Sequence, residues 1–145
     1  MVVLLLGAFL SCTAQSHKGQ DAKKFKKLES YTIGSRTVSY YKIPAHLSRE
    51  ELVKTAGKIC DSESPGGRVV AITLIFIDDV SGLRKYITWA KRASNGDDRA
   101  KPPKVWVDKH LIANAQNTMN GGWMLYESNG YKEIAYLEPK ILEKK

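Results

Sequence analysis

The chain predicts an α+β domain, with an antiparallel-dominated sheet of about five strands and one or two helices packed on one face. Three stretches carry that expectation. Residues 69–77 are apolar at every position but Thr73 and rich in β-branched and aromatic types, so they read as a strand covered above and below. Ser48 and Glu51 hold the S-x-x-E spacing of a capping box in front of an apolar helical repeat. Residues 123–127 and 131–137 flank Ser128-Asn129-Gly130, a hairpin signal.

In chain order, residues 31–43 are rich in strand formers, with Gly34-Ser35 as a type II′ hairpin turn or a mid-strand kink, and Pro44 ends the run. Leu47 and Leu52 have the spacing of a hydrophobic staple, and Leu52, Ala56, Ile59 and Cys60 recur at i, i+4, i+7 and i+8. That face points Cys60 at the core, where a thiol is an unreactive small hydrophobe. Gly66-Gly67 and Asp78-Asp79 bound the central strand. Residues 83–93 then read as a second strand, returning antiparallel through the 78–82 turn. Ile87, Trp89, Lys91 and Ala93 would share one face, and Tyr86, Thr88, Ala90 and Arg92 the other. A helix is the alternative there, because Ala90-Lys91-Arg92-Ala93 has good helix propensity. Residues 95–103 form an exposed loop. Residues 105–119 read as a short strand followed by a helix from about Asp108, with Leu111, Ile112 and Ala115 inward. In the last hairpin Trp123, Leu125 and Glu127 share a face, and Pro139 ends the final strand.

The net charge of +8 suggests nucleic acid until it is located. Residues 18–27 carry five lysines against one aspartate, and residues 140–145 carry three lysines against one glutamate. Residues 28–139 keep 15 basic and 13 acidic side chains, so the domain itself is nearly neutral and no nucleic-acid partner is expected. Residues 84–109 are locally basic, with eight cations against three carboxylates: a solvated face or a site for an acidic partner.

Residues 2–10 form an apolar run too short to span a bilayer but of the length of a secretory signal core. Phe9-Leu10-Ser11-Cys12 follows, then polar residues. Here the chain resembles a bacterial lipoprotein precursor, over its first dozen residues only. The resemblance implies a signal peptide over residues 1–11, diacylglycerol on the sulfur of Cys12, and a mature chain anchored in the cell envelope. Ordinary cleavage after Ala14, leaving a soluble secreted or periplasmic protein, is the alternative. Residues 12–27 then read as a basic tether. Lys23, Lys24, Lys26 and Lys27 are placed to attract anionic headgroups, at about 1 kcal/mol each. With Cys12 acylated, Cys60 has no internal partner, and the domain over residues 28–139 rests on its core, followed by a basic tail over residues 140–145.

No phosphate loop, nucleotide fingerprint or metal-ligand spacing is present, and His46 and His110 stand alone, so no cofactor and no metal are expected. No catalytic set assembles in the sequence. The first expectation is therefore a non-enzymatic, membrane-tethered binding protein with a protein partner in the envelope, the role an inhibitor of an exported toxin would play. Its contacts would come from Arg84, Lys85, Trp89, Lys91, Arg92 and the 95–104 loop. The alternative is a small hydrolase or metal-dependent enzyme using Asp78, Asp79, Asp108 and His110. It requires those four groups to converge within about 10 Å.

Overall fold

The computed structural model of the protein describes residues 25–63, 71–128 and 132–139. Cys12, Lys23, Lys24, the expected signal and the basic tail lie outside the described residues. β1 (Lys26–Ile33) and β2 (Arg36–Lys42) form a hairpin closed by Gly34-Ser35. Gly34 has φ +58° and Ser35 does not share a positive φ, the pattern of a type II′ turn rather than of a kink. β1 takes in Lys26 and Lys27, the last two residues of the expected tether.

α1 (Arg49–Glu63) begins as its caps dictate. The Ser48 amide donates to Glu51 Oε2 at 2.9 Å, and the Glu51 amide donates to Ser48 Oγ at 3.2 Å. Leu47 and Leu52 meet in the same core. Ser48→Ala removes one of these bonds and should lower stability by about 0.5–2 kcal/mol, read as a fall in the urea midpoint at unchanged slope.

β3 (Ala71–Ile77) lies parallel to β2, and a parallel pair needs a crossover, which α1 supplies. The helix runs across the strands rather than along them. Arg49 Nη2 near its start donates to Ile134 O at 2.6 Å on the far edge of the sheet. Glu63 at its end accepts from Lys27 Nζ at 2.6 Å and from the Tyr41 hydroxyl, beside the near edge. Its 15 residues rise about 22 Å, close to the roughly 24 Å spanned by five inter-strand steps.

α2 (Leu83–Ser94) and α3 (Lys104–His110) connect β3 to β4 (Leu111–Asn117), and β5 (Trp123–Glu127) and β6 (Glu133–Leu137) complete the chain. The six strands lie in sequence order, β1 to β6, and every neighbouring pair but β2–β3 is antiparallel. The α+β class holds, with six strands rather than five and three helices on both faces rather than one or two on one face. α1 buries Leu52, Ala56, Ile59 and Cys60 against Ile72, Leu74, Phe76, Ala113, Ala115 and Leu125. On the opposite face, Leu83 and Ile87 of α2 meet Tyr40 and Ile77, with Trp106 of α3 packed beside them. The central strand is thus roofed above and below, as its two apolar faces require.

Two elements differ from expectation, each for a physical reason. Residues 83–93 are a helix, not a strand. Leu83, Tyr86, Ile87 and Ala90 recur at i, i+3, i+4 and i+7, and Lys91 and Arg92 in the last turn suit the negative end of the helix dipole. Residues 105–119 hold a helix and then a strand, the reverse of the expected order. Pro103 stands at the N-cap of α3, and Ala113 and Ala115 alternate with Asn114 and Gln116 in the two-residue period of β4.

Candidate functional site

The helical conformation of residues 83–94 redistributes the predicted basic residues around an axis. Arg84, Lys85, Trp89 and Arg92 line one groove of about 560 Å³ together with Ser81 and Lys101. Among the described residues Arg84, Lys85 and Lys101 have no carboxylate partner. Arg92 is engaged: its Nε and Nη2 donate to Asp97 Oδ2 at 2.9 and 2.7 Å, and those bonds hold the Asp97 carboxyl below the usual carboxylate range. The bond fastens the 95–98 turn to the helix end. Trp89 Nε1 donates to Ala100 O at 3.2 Å, fixing its ring against the loop that brings in Lys101. The expected loop and the expected helix residues therefore do meet.

Lys91 is the exception. Its Nζ lies 4.4 Å from the centroid of the Tyr31 ring and 3.7 Å from Glu29 Oε1, in the adjoining groove that it lines with Arg84 and Thr88. It belongs to a contact between α2 and β1 and shares that adjoining groove with Arg84 but not with Lys85, Trp89 or Arg92. Lys27, expected at the membrane, is bonded to Glu63 and lies 5.9 Å from the Tyr41 ring centroid.

A second cluster forms at the C-terminal end of β3. His110 Nδ1 and Asp78 Oδ1 are 2.9 Å apart, both side chains largely buried. Asp79 Oδ2 accepts from Trp106 Nε1 at 2.9 Å, from the Ser81 amide at 3.1 Å and from the Ser81 hydroxyl. Trp106 makes tilted ring contacts with Tyr86 and His110, with centroids 5.8 and 6.0 Å away. The structure thus joins His110 to Asp78, with Asp79 next in the chain, and Asp108 takes no part in these bonds. Asp108 pairs with Lys104 Nζ at 2.7 Å one turn away on the exposed side of α3, so the four expected enzyme groups are not joined by contact. No group of three His, Cys, Asp or Glu side chains able to hold a metal ion occurs among the described residues. Burial pushes the Cys60 thiol up to about 12, so it stays protonated and unreactive, as its helical face implied.

The hydrogen bonds from Ser81 and then Trp106 hold the Asp79 carboxyl down at about 2, against its ordinary 3.8. A carboxyl depressed in the fold stabilises it above the unfolded value, and that contribution is lost as pH falls from about 4 towards about 2. Asp79→Asn should therefore flatten the loss of stability across that window, read from urea midpoints at a series of acid pH values. An unchanged acid slope would mean that the Ser81 and Trp106 bonds do not favour the ionised form.

Trp106 was not anticipated as a site residue. Trp106 and His110 stand four apart, and reading Pro103 as a helix start would have placed both on one side of α3. Lys101 lies in the expected 95–104 loop, and the folding of that loop brings it to the groove. Among the described residues no helix is long and apolar enough to cross a membrane. Comparison with protein-family models, curated proteins and solved structures found no match.

Proposed function

We propose that the protein is a non-enzymatic envelope lipoprotein, tethered through Cys12, whose α2 groove docks an acidic segment of a protein partner. One observation carries the reading: Arg84, Lys85 and Lys101 are three cations without carboxylate partners among the described residues, arranged around the fixed ring of Trp89 in a single groove. Charges left without partners on a folded surface steer oppositely charged ligands, and an aromatic ring at the centre is the usual anchor of a binding hot spot.

The registry adds support from the anchor's side. Lys26 pairs with Lys42, Lys42 with Ile77, and α2 begins six residues after Ile77. The tether therefore enters at the sheet end from which α2 starts. Thirteen residue steps from Cys12 to Phe25 reach at most about 45 Å, so the groove would work close to the membrane surface. The geometry supports the hydrolase reading less. Asp79 is occupied by Ser81 and Trp106, and Asp108 by Lys104.

The test has two arms. Mass analysis of the mature amino terminus should find diacylglycerol on Cys12; an intact Met1 on protein taken from the cytosol overturns the tether. Crosslinking in intact envelopes should join the native chain to an acidic partner. The Arg84→Glu, Lys85→Glu, Lys101→Glu triple variant should lose that product by at least tenfold while keeping its thermal midpoint. An equal yield from the triple variant overturns the docking surface.

A further inference from the structure

The sheet face that carries α2 and α3 is only part roofed. Registry sets Thr73, Gln116 and Met124 in one row across β3, β4 and β5, and Ile75, Asn114 and Tyr126 in the next. A groove of about 570 Å³ opens along these rows beside α2, within the roughly 300–1,000 Å³ of small-molecule sites. Thr73, Asn114 and Gln116 supply its sheet side. Tyr86 and Trp89, with ring centroids 5.3 Å apart, supply its helix side, and the exposed carboxylate of Asp108 stands at its margin.

Its chemistry differs from that of the neighbouring basic groove, although Trp89 lines both. No Lys or Arg lines it, and its one carboxylate, Asp108, is paired with Lys104 at 2.7 Å. The strand positions beneath two helices would ordinarily carry apolar side chains, yet they carry a threonine and two amides. Thr73 is 8% exposed, and its Oγ1 has no hydrogen-bond partner among the described residues. A buried hydroxyl without a partner is unfavourable, and a polar group bound beside it would relieve that.

We infer that this groove binds a neutral saccharide, one or two pyranose units, packed on Trp89 and Tyr86 and hydrogen-bonded to Gln116 and to Asn114, whose Nδ2 also donates to Glu127 O at 3.3 Å. A pyranose has one face of C–H groups, which suits an aromatic wall, and a rim of hydroxyls that both donate and accept. Side-chain amides match that rim because they also do both. A phosphorylated or carboxylated ligand finds no cation here. This site does not rest on the acidic-partner reading: it uses different polar groups.

Saturation-transfer NMR and tryptophan fluorescence titration of the full chain test it. The probes are glucose, galactose, N-acetylglucosamine and their β-linked disaccharides, with adenosine as a stacking control. At least one sugar should bind with a Kd on the order of 1 mM or tighter, with transfer concentrated on the ring protons of one face. Trp89→Ala and Gln116→Ala should each weaken it at least tenfold. Gln116 is half-buried, so Gln116→Ala should keep the native thermal midpoint and carries the test should Trp89→Ala not fold. The Arg84→Glu, Lys85→Glu, Lys101→Glu variant should bind sugar as the native chain does, which separates this site from the acidic-partner groove. No binding by any sugar, binding indifferent to Gln116→Ala, or tighter binding of adenosine than of every sugar overturns the inference.

Discussion

Phe76→Ala should cost about 3–5 kcal/mol, much of the 5–15 kcal/mol that separates a domain of this kind from its unfolded chain. Phe76 has no exposed surface and sits on the α1 side of β3, the strand with α1 on one face and α2 on the other. Its ring lies 6.4 Å from that of Tyr41 on β2, and across the sheet it faces Ala113 on β4. Large beside small is what lets the ring fill that layer, and it also means that nothing nearby can move in when the ring is removed. The cavity term is therefore added to the lost transfer energy rather than relieved. Phe76→Leu keeps most of the volume and should lose far less. Urea unfolding of both variants checks the pair. A loss below about 1 kcal/mol for Phe76→Ala would show that β3 is not the centre of the core.

The stretches legible in the sequence share a property: their evidence is local and complete. β3 declares itself because both of its faces are apolar. α1 declares itself because Ser48, Glu51, Leu47 and Leu52 specify its start, and Leu52, Ala56, Ile59 and Cys60 its buried side. The β5–β6 hairpin follows from alternation, with Trp123 and Leu125 buried on one side. Residues 83–94 resisted because Tyr86, Ile87, Thr88 and Trp89 are strand formers by type, while their spacing from Leu83 is helical. Type and period conflict there, and the short turn after β3 favoured a hairpin. Packing against Tyr40 and Ile77 decides for the period. The reversal in residues 104–117 has the same origin. Val105 and Val107 look like a strand and Ala113 to Ala115 like a helix, until Pro103 and the pairing of β4 with both β3 and β5 are known.

The candidate site was legible in composition and illegible in geometry. Four of the five predicted contact residues share the groove because positions 84, 85, 89 and 92 fall within a helical sector, whereas alternation along a strand would have split them. Lys91 falls about 20° from Arg84 around the axis, at the edge of that sector, and its side chain turns to Tyr31 and Glu29 instead. Trp89 stands where the two grooves meet, its ring held by Ala100 and Tyr86. A ligand that moves this ring on one side alters the wall of the other.

Gly82→Ala tests whether the α2–α3 junction is assembled around a missing side chain. Gly82 has φ −98° and ψ −5°, which any residue adopts, so the backbone itself does not call for glycine. On conformational grounds alone alanine should stabilise by about 0.4–1 kcal/mol. The indole of Trp106 reverses the sign, because a Cβ at this position would lie 2.3 Å from Cγ and 2.4 Å from Cδ1 of that ring. The ring must leave, and with it go the bond to Asp79 and the ring contacts with Tyr86 and His110. Overpacking of this kind costs about 1–3 kcal/mol, and tryptophan emission should shift red as Trp106 meets water. The decisive measurement is a double-mutant cycle. In a Trp106→Ala background the clash is absent, so Gly82→Ala should become neutral or stabilising. Equal destabilisation in both backgrounds would mean that Gly82 serves the backbone and not the ring.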